Sequence, residues 1–148
     1  MTIIDLLLNN GRIQKDEIQQ ELINLLKKTN ALIHSCEGRI FEDSGKIKDA
    51  IIEYEAALIN DPDCEIAYLR LGIIFYKHEK QTTLSRNYLQ NAVRINPTNH
   101  LAWYHLGKVL SEHFNDDEEA SDAFMTSLTF EKTCPIIDFS SDFVTLLI

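Results

Sequence analysis

Three glycines recur at nearly constant intervals: Gly38, Gly72 and Gly107 stand 34 and 35 residues apart. Two prolines keep the same beat, with Pro62 and Pro97 separated by 35 residues, and each is followed six residues later by an aromatic, Tyr68 or Trp103. This recurrence constrains the fold more than composition does. A unit that repeats every ~20–50 residues is one supersecondary element that cannot bury its apolar face alone, so neighbouring units must stack.

The unit is legible in Glu65–Thr98, EIAYLRLGIIFYKHEKQTTLSRNYLQNAVRINPT. Tyr68, Leu71, Gly72 and Phe75 share one helical face, and Ser85, Leu89 and Ala92 share another. A short polar turn separates them, which predicts two antiparallel helices. Gly72 allows their close approach, and Asn96-Pro97 stops the second helix. The preceding unit repeats the pattern with Gly38, Phe41, Ala50, Tyr54, Ala57 and Pro62. The following unit repeats it with Trp103, Leu106, Gly107, Leu110, Ala120 and Phe124.

Period and positions resemble the tetratricopeptide repeat. The expected fold is all-α, a TPR-type helix-pair solenoid: a right-handed superhelical stack of about three repeats preceded by a helical hairpin. The segments read as a degenerate N-terminal hairpin at 1–30, repeats at 31–63, 64–98 and 99–132, and a C-terminal tail at 133–148. Trp103 reads as core, with Trp103→Ala expected to cost ~3–5 kcal/mol.

An apolar content of 45% supports a packed core. The net charge of −9 argues against nucleic acid and against direct contact with an acidic membrane surface. Much of that charge sits late: residues 109–148 hold nine acids and one base, Lys132. Such an end reads either as a solvated outer face or as a site for a basic partner. Cys36, Cys64 and Cys134 form no CxxC pair and fit a reducing compartment. No run reaches the ~18 apolar residues of a membrane span, and the start lacks the marks of a signal peptide. The expected address is the cytosol.

Along the chain, Ile3, Ile4, Leu6, Leu7 and Leu8 precede Asn9-Asn10-Gly11, a short helix and a stop. A second helix is expected to begin at a capping Asp16, to carry Ile18, Leu22, Leu25 and Leu26, and to end near Lys27 and Lys28. The first repeat departs from its siblings at two places. His34 stands where Tyr68 and Trp103 stand in the others, and Glu37 where Leu71 and Leu106 stand. Asn115-Asp116-Asp117 is expected to make the last turn and cap the last helix. The tail PIIDFSSDFVTLLI reads as a lid on the last helix pair or as a segment for a partner.

No catalytic motif is present, and no metal or cofactor is expected. The glycines lie within helices and form no phosphate loop. No two of the five histidines are spaced i, i+4, and His34 and Cys36 point to diverging sides of a helix. Asp116-Asp117-Glu118-Glu119 lacks EF-hand spacing.

What remains is surface. The candidate partner groove, on the first helix of each pair, comprises Leu32 and Arg39, then Ile66, Leu69, Ile73 and Tyr76, then Leu101, Tyr104 and Lys108. The middle stripe is apolar and distinct from the Tyr68–Leu71–Phe75 face, so that helix needs a second cover. A partner's helix or extended segment would fill this need, as would adjacent repeats or the tail. Under the partner reading, Ile73→Asp abolishes binding and leaves helicity intact. Leu69 and Ile73 disfavour the carboxylate clamp of chaperone-type repeats.

More narrowly, GRIFEDSGKIKDAIIEYEAALINDP, AVRINPTNHLAWYHLGKVL and DAFMTSLTFEKTCP resemble the C-terminal end of the tetratricopeptide repeat protein seven family. The resemblance covers about Thr29–Pro135. It implies a non-enzymatic scaffold that joins a phosphatidylinositol 4-kinase of type III alpha to hyccin and a lipidated anchor at the plasma membrane. This region would be the hyccin-binding end. The chain would be cytoplasmic and recruited peripherally, touching the membrane only through partners, in support of phosphatidylinositol 4-phosphate synthesis. The alternative is a generic repeat adaptor for a chaperone or transport assembly.

Overall fold

The computed structural model describes residues 11–133 together with Thr2. The apolar run at residues 3–8, most of the tail and Cys134 lie outside the described residues. Within them the fold is all-α, a TPR-type solenoid of helix pairs: α1 Gly11–Asp43, α2 Ile47–Asn60, α3 Glu65–Lys77, α4 Thr82–Ile95, α5 His100–Val109 and α6 Asp117–Thr133. A π-helical turn, Leu110–Phe114, joins α5 to the last loop. Two compact units divide the chain at Cys64/Glu65.

Unit 1 is the α1–α2 pair. The expected break near residue 30 is absent, and one helix runs 33 residues through it. No glycine or proline interrupts residues 12–37, so nothing forces the backbone out of helical geometry there. Asp16 therefore lies inside a helix and caps nothing. Ile18, Leu22, Leu25 and Leu26 are 54–63% exposed along this N-terminal half.

The pair is held further along α1. A Cβ on Gly38 would sit 2.8 Å from Cε1 of Tyr54, so the missing side chain is the space the Tyr54 ring fills. Tyr54 is wholly buried, and its hydroxyl donates to Glu42 Oε2 at 3.0 Å. Gly45, at φ +75°, ends α1 in the left-handed conformation. Its amide donates to the Glu42 carbonyl, and the Lys46 amide donates to the Phe41 carbonyl. This arrangement satisfies carbonyls that a helix end leaves open.

Unit 2 contains two further pairs built the same way. A Cβ on Gly72 would meet Leu89 Cγ at 2.6 Å, and one on Gly107 would meet Cε1 of Phe124 at 2.9 Å. All three in-phase glycines thus lie at crossings within their own helix pairs. At the α3–α4 crossing the buried Ser85 hydroxyl donates to the Gly72 carbonyl at 2.6 Å. Phe75 stacks on Tyr88, with centroids 5.4 Å apart.

The α4–α5 loop is tied to the start of α3. Asn96 Nδ2 donates to Glu65 Oε2 at 3.0 Å, and Asn99 Nδ2 donates to Glu65 Oε1. The buried Asn99 also caps α5, accepting from the Ala102 amide at 3.1 Å. Asn99→Ala is expected to lower stability by ~1–2 kcal/mol, because it removes a cap and leaves Glu65 short of a donor. Urea denaturation followed by circular dichroism measures that loss.

Trp103 is only half-buried. Its indole packs against the core and donates to the Pro97 carbonyl at 2.7 Å. Its truncation therefore costs less than the full-burial figure expected from the sequence. The cap of α6 is Asp116, whose Oδ1 accepts from the Glu119 amide at 3.1 Å.

Candidate partner-binding surface

The surface follows from which faces of α3 and α5 remain open. In α3, seven of 13 residues are buried, Leu69 and Ile73 among them. Both pack in one cluster with Leu89, Ala92, Val93, Ala102, Leu106, Val109 and Leu110. The two middle residues of the stripe expected to line an open groove are instead covered by α4 and α5. Leu69 is 9% and Ile73 6% exposed. The physical reason is that a middle repeat packs on its successor as well as on its own second helix, so two of its faces are core.

The other expected groove positions of unit 2 stay accessible. Ile66 is 47% and Tyr104 44% exposed, and Tyr76, Leu101 and Lys108 are half-buried. Leu101 and Tyr104 line a cavity of about 330 Å³ with His100, Phe124, Ser127, Leu128 and Glu131. Tyr104 lies 5.9 Å from the Phe124 ring. Tyr76 forms a second focus: its hydroxyl donates to Glu112, its ring meets His113 edge-on at 5.8 Å, and Lys108 Nζ lies 5.5 Å over it. That hydrogen bond, followed by burial, pushes the Tyr76 phenol up to about 12.

Phe124, Leu128, Glu112 and His113 were not anticipated at this surface. A signal existed for Phe124 and Leu128, which are four apart on one face of α6. None existed for Glu112 and His113, because the π turn shifts the residues after Val109 out of the helical register that sequence spacing assumes. In unit 1, Leu32 is 52% exposed, and Arg39 is half-buried with its Nε donating to Asp43 Oδ1 at 3.2 Å.

His105 lies beneath this surface. Burial, aided by Lys77, Lys108 and Arg70, pushes its imidazole down to about 4, and its Nδ1 is buried without a hydrogen-bond partner. The unfolded chain takes up that proton near pH ~6.5. Stability is therefore full above ~6.5 and falls as pH drops toward 4. Melting temperature should decline across this window, and His105→Leu should flatten the decline.

Among the described residues, no helix is long and apolar enough to cross a membrane. Helix pairs crossing at glycines, with aromatic and aliphatic side chains displayed on first helices, define a class: the chain is a tetratricopeptide-repeat protein, a fold of protein-interaction scaffolds.

More particularly, it is related to tetratricopeptide repeat proteins 7A and 7B. Each human protein is 31% identical over 121 residues, which is 82% of this chain and 14% of the relative. Protein NPG1 of Arabidopsis thaliana is 30% identical over 122 residues, 78% of this chain and 17% of that protein. The chain thus spans about a sixth or less of these relatives' length. No protein-family profile matches it. Among solved structures, the second TPR of Spaghetti (RPAP3) bound to the HSP90 peptide SRMEEVD superimposes with a TM-score of 0.72 at 19% identity, over 78% of this chain and 98% of that one. MamA superimposes with a TM-score of 0.63 at 20% identity, over 89% and 76%.

Proposed function

We propose that the chain is a non-enzymatic protein–protein interaction scaffold, the hyccin-binding end of an adaptor for a phosphatidylinositol 4-kinase complex. Its partners in this reading are a hyccin-like subunit and, through the wider assembly, the type III alpha kinase. It reaches the plasma membrane from the cytoplasm only through them. The observation that carries the reading is the 31% identity to tetratricopeptide repeat protein 7B across 82% of this chain. The open side chains Ile66, Leu101 and Tyr104 suit an apolar segment of another protein, since aromatic and aliphatic anchors beside a cavity supply most binding energy at such contacts.

A pull-down of the intact chain with purified hyccin tests this. Retention above background is expected. Absence of retention, with capture of an acidic C-terminal peptide instead, would favour the generic adaptor reading.

A further inference from the structure

The two residues that break the repeat pattern converge on a third. His34 and Glu37 occupy positions that are a half-buried aromatic and a buried leucine in the sibling repeats, so unit 1 places an imidazole and a carboxylate where the others place apolar side chains. Both face Glu53 of α2. His34 Nδ1 lies 2.7 Å from Glu53 Oε2 and 3.7 Å from Glu37 Oε2. One ligand atom from each residue falls within 4.8 Å of the others, the one such convergence of three His, Cys, Asp or Glu side chains among the described residues.

We propose that His34, Glu37 and Glu53 form a binding site for a divalent cation of the zinc class that pins α1 to α2. Zinc takes imidazole nitrogen and carboxylate oxygen at ~2.0–2.2 Å, which places tetrahedral ligand atoms ~3.3–3.5 Å apart. The observed separations bracket that range, and glutamate side-chain torsions suffice to close the difference. The donor set selects the metal: the imidazole disfavours magnesium and calcium, and the carboxylates with no thiolate disfavour copper(I). Three protein ligands leave a fourth position for water. A cavity of about 210 Å³ lined by Glu37, Ile40, Phe41 and Glu53 gives that water room. Two ligands are i, i+3 on one helix and the third is on its partner, so the ion would cross-link the pair and offset the repulsion between two close carboxylates. Sequence spacing alone could not show this, because Glu53 lies 19 residues from His34.

The test titrates the intact chain with zinc chloride, by calorimetry and by melting temperature, against the double variant His34→Phe/Glu37→Leu. That variant places an aromatic and a leucine at these positions, as the sibling repeats do, and is expected to fold without the ligands. The wild-type chain is expected to bind one equivalent saturably, and its melting temperature to rise by roughly 5–10 °C at a hundredfold excess over Kd. The double variant is expected to lose that equivalent and the shift while melting no lower than the metal-free wild type. No saturable binding by the wild type, or equal binding by the double variant, overturns the proposal.

Discussion

Ile73→Asp is expected to unfold the second unit rather than to silence a binding surface. Ile73 is 6% exposed, among Leu69, Leu89, Leu106 and Val109. Removing its side chain from that cluster forfeits ~1.5–3 kcal/mol of burial. The carboxylate adds several kcal/mol of desolvation, because the buried side chains of that cluster are all aliphatic. The sum is comparable with the ~5–15 kcal/mol that stabilises a whole small domain. Far-ultraviolet circular dichroism at 25 °C should show a clear loss of helix. A variant with native helicity and native melting would show that the position is surface.

Leu89→Ala is expected to cost ~2–5 kcal/mol, since Leu89 is wholly buried against Gly72. Its coupling to Gly72 is more diagnostic than its size. Gly72→Ala would ordinarily gain ~1 kcal/mol of helix propensity. Here the new Cβ would stand 2.6 Å from Leu89 Cγ and 2.8 Å from Cδ2. The clash wins, and a net loss of ~1–3 kcal/mol is expected in the wild-type background. With Leu89 already alanine, both clashing carbons are gone, and the nearest remaining contact is the Leu89 backbone nitrogen at 3.3 Å. Gly72→Ala should then cost far less than in the wild-type background. Urea unfolding of the four proteins gives the coupling, expected near 2 kcal/mol. Additive effects would mean that the glycine does not seat the leucine.

Much of this architecture was legible in the chain itself. The glycine and proline beat marked where helices cross and stop, because a missing Cβ and a missing amide hydrogen act locally. The uninterrupted α1 was not legible: Asp16 and the lysine pair imitate cap and terminus, but no residue between them forces an end. The groove was legible only in part. Leu69 and Ile73 share the polarity of a binding stripe, and an apolar side chain does not reveal whether protein core or a partner covers it. Ile66, on the same helix, stays half-exposed, as do Leu101 and Tyr104 on α5. The His34–Glu53 contact was hidden because it joins two helices whose relative rotation no local signal fixes.

The sharpest measurement compares binding with stability on one surface. Ile66→Ala and Tyr104→Ala change half-exposed side chains outside the Leu69–Ile73 cluster. Each is expected to shift melting by no more than a surface substitution does, within ~0.5 kcal/mol. Isothermal titration of the double variant with hyccin should show affinity reduced by roughly tenfold or more, corresponding to a loss above ~1.4 kcal/mol. Unchanged affinity with intact folding would contradict the account of α3 and α5 as a docking face.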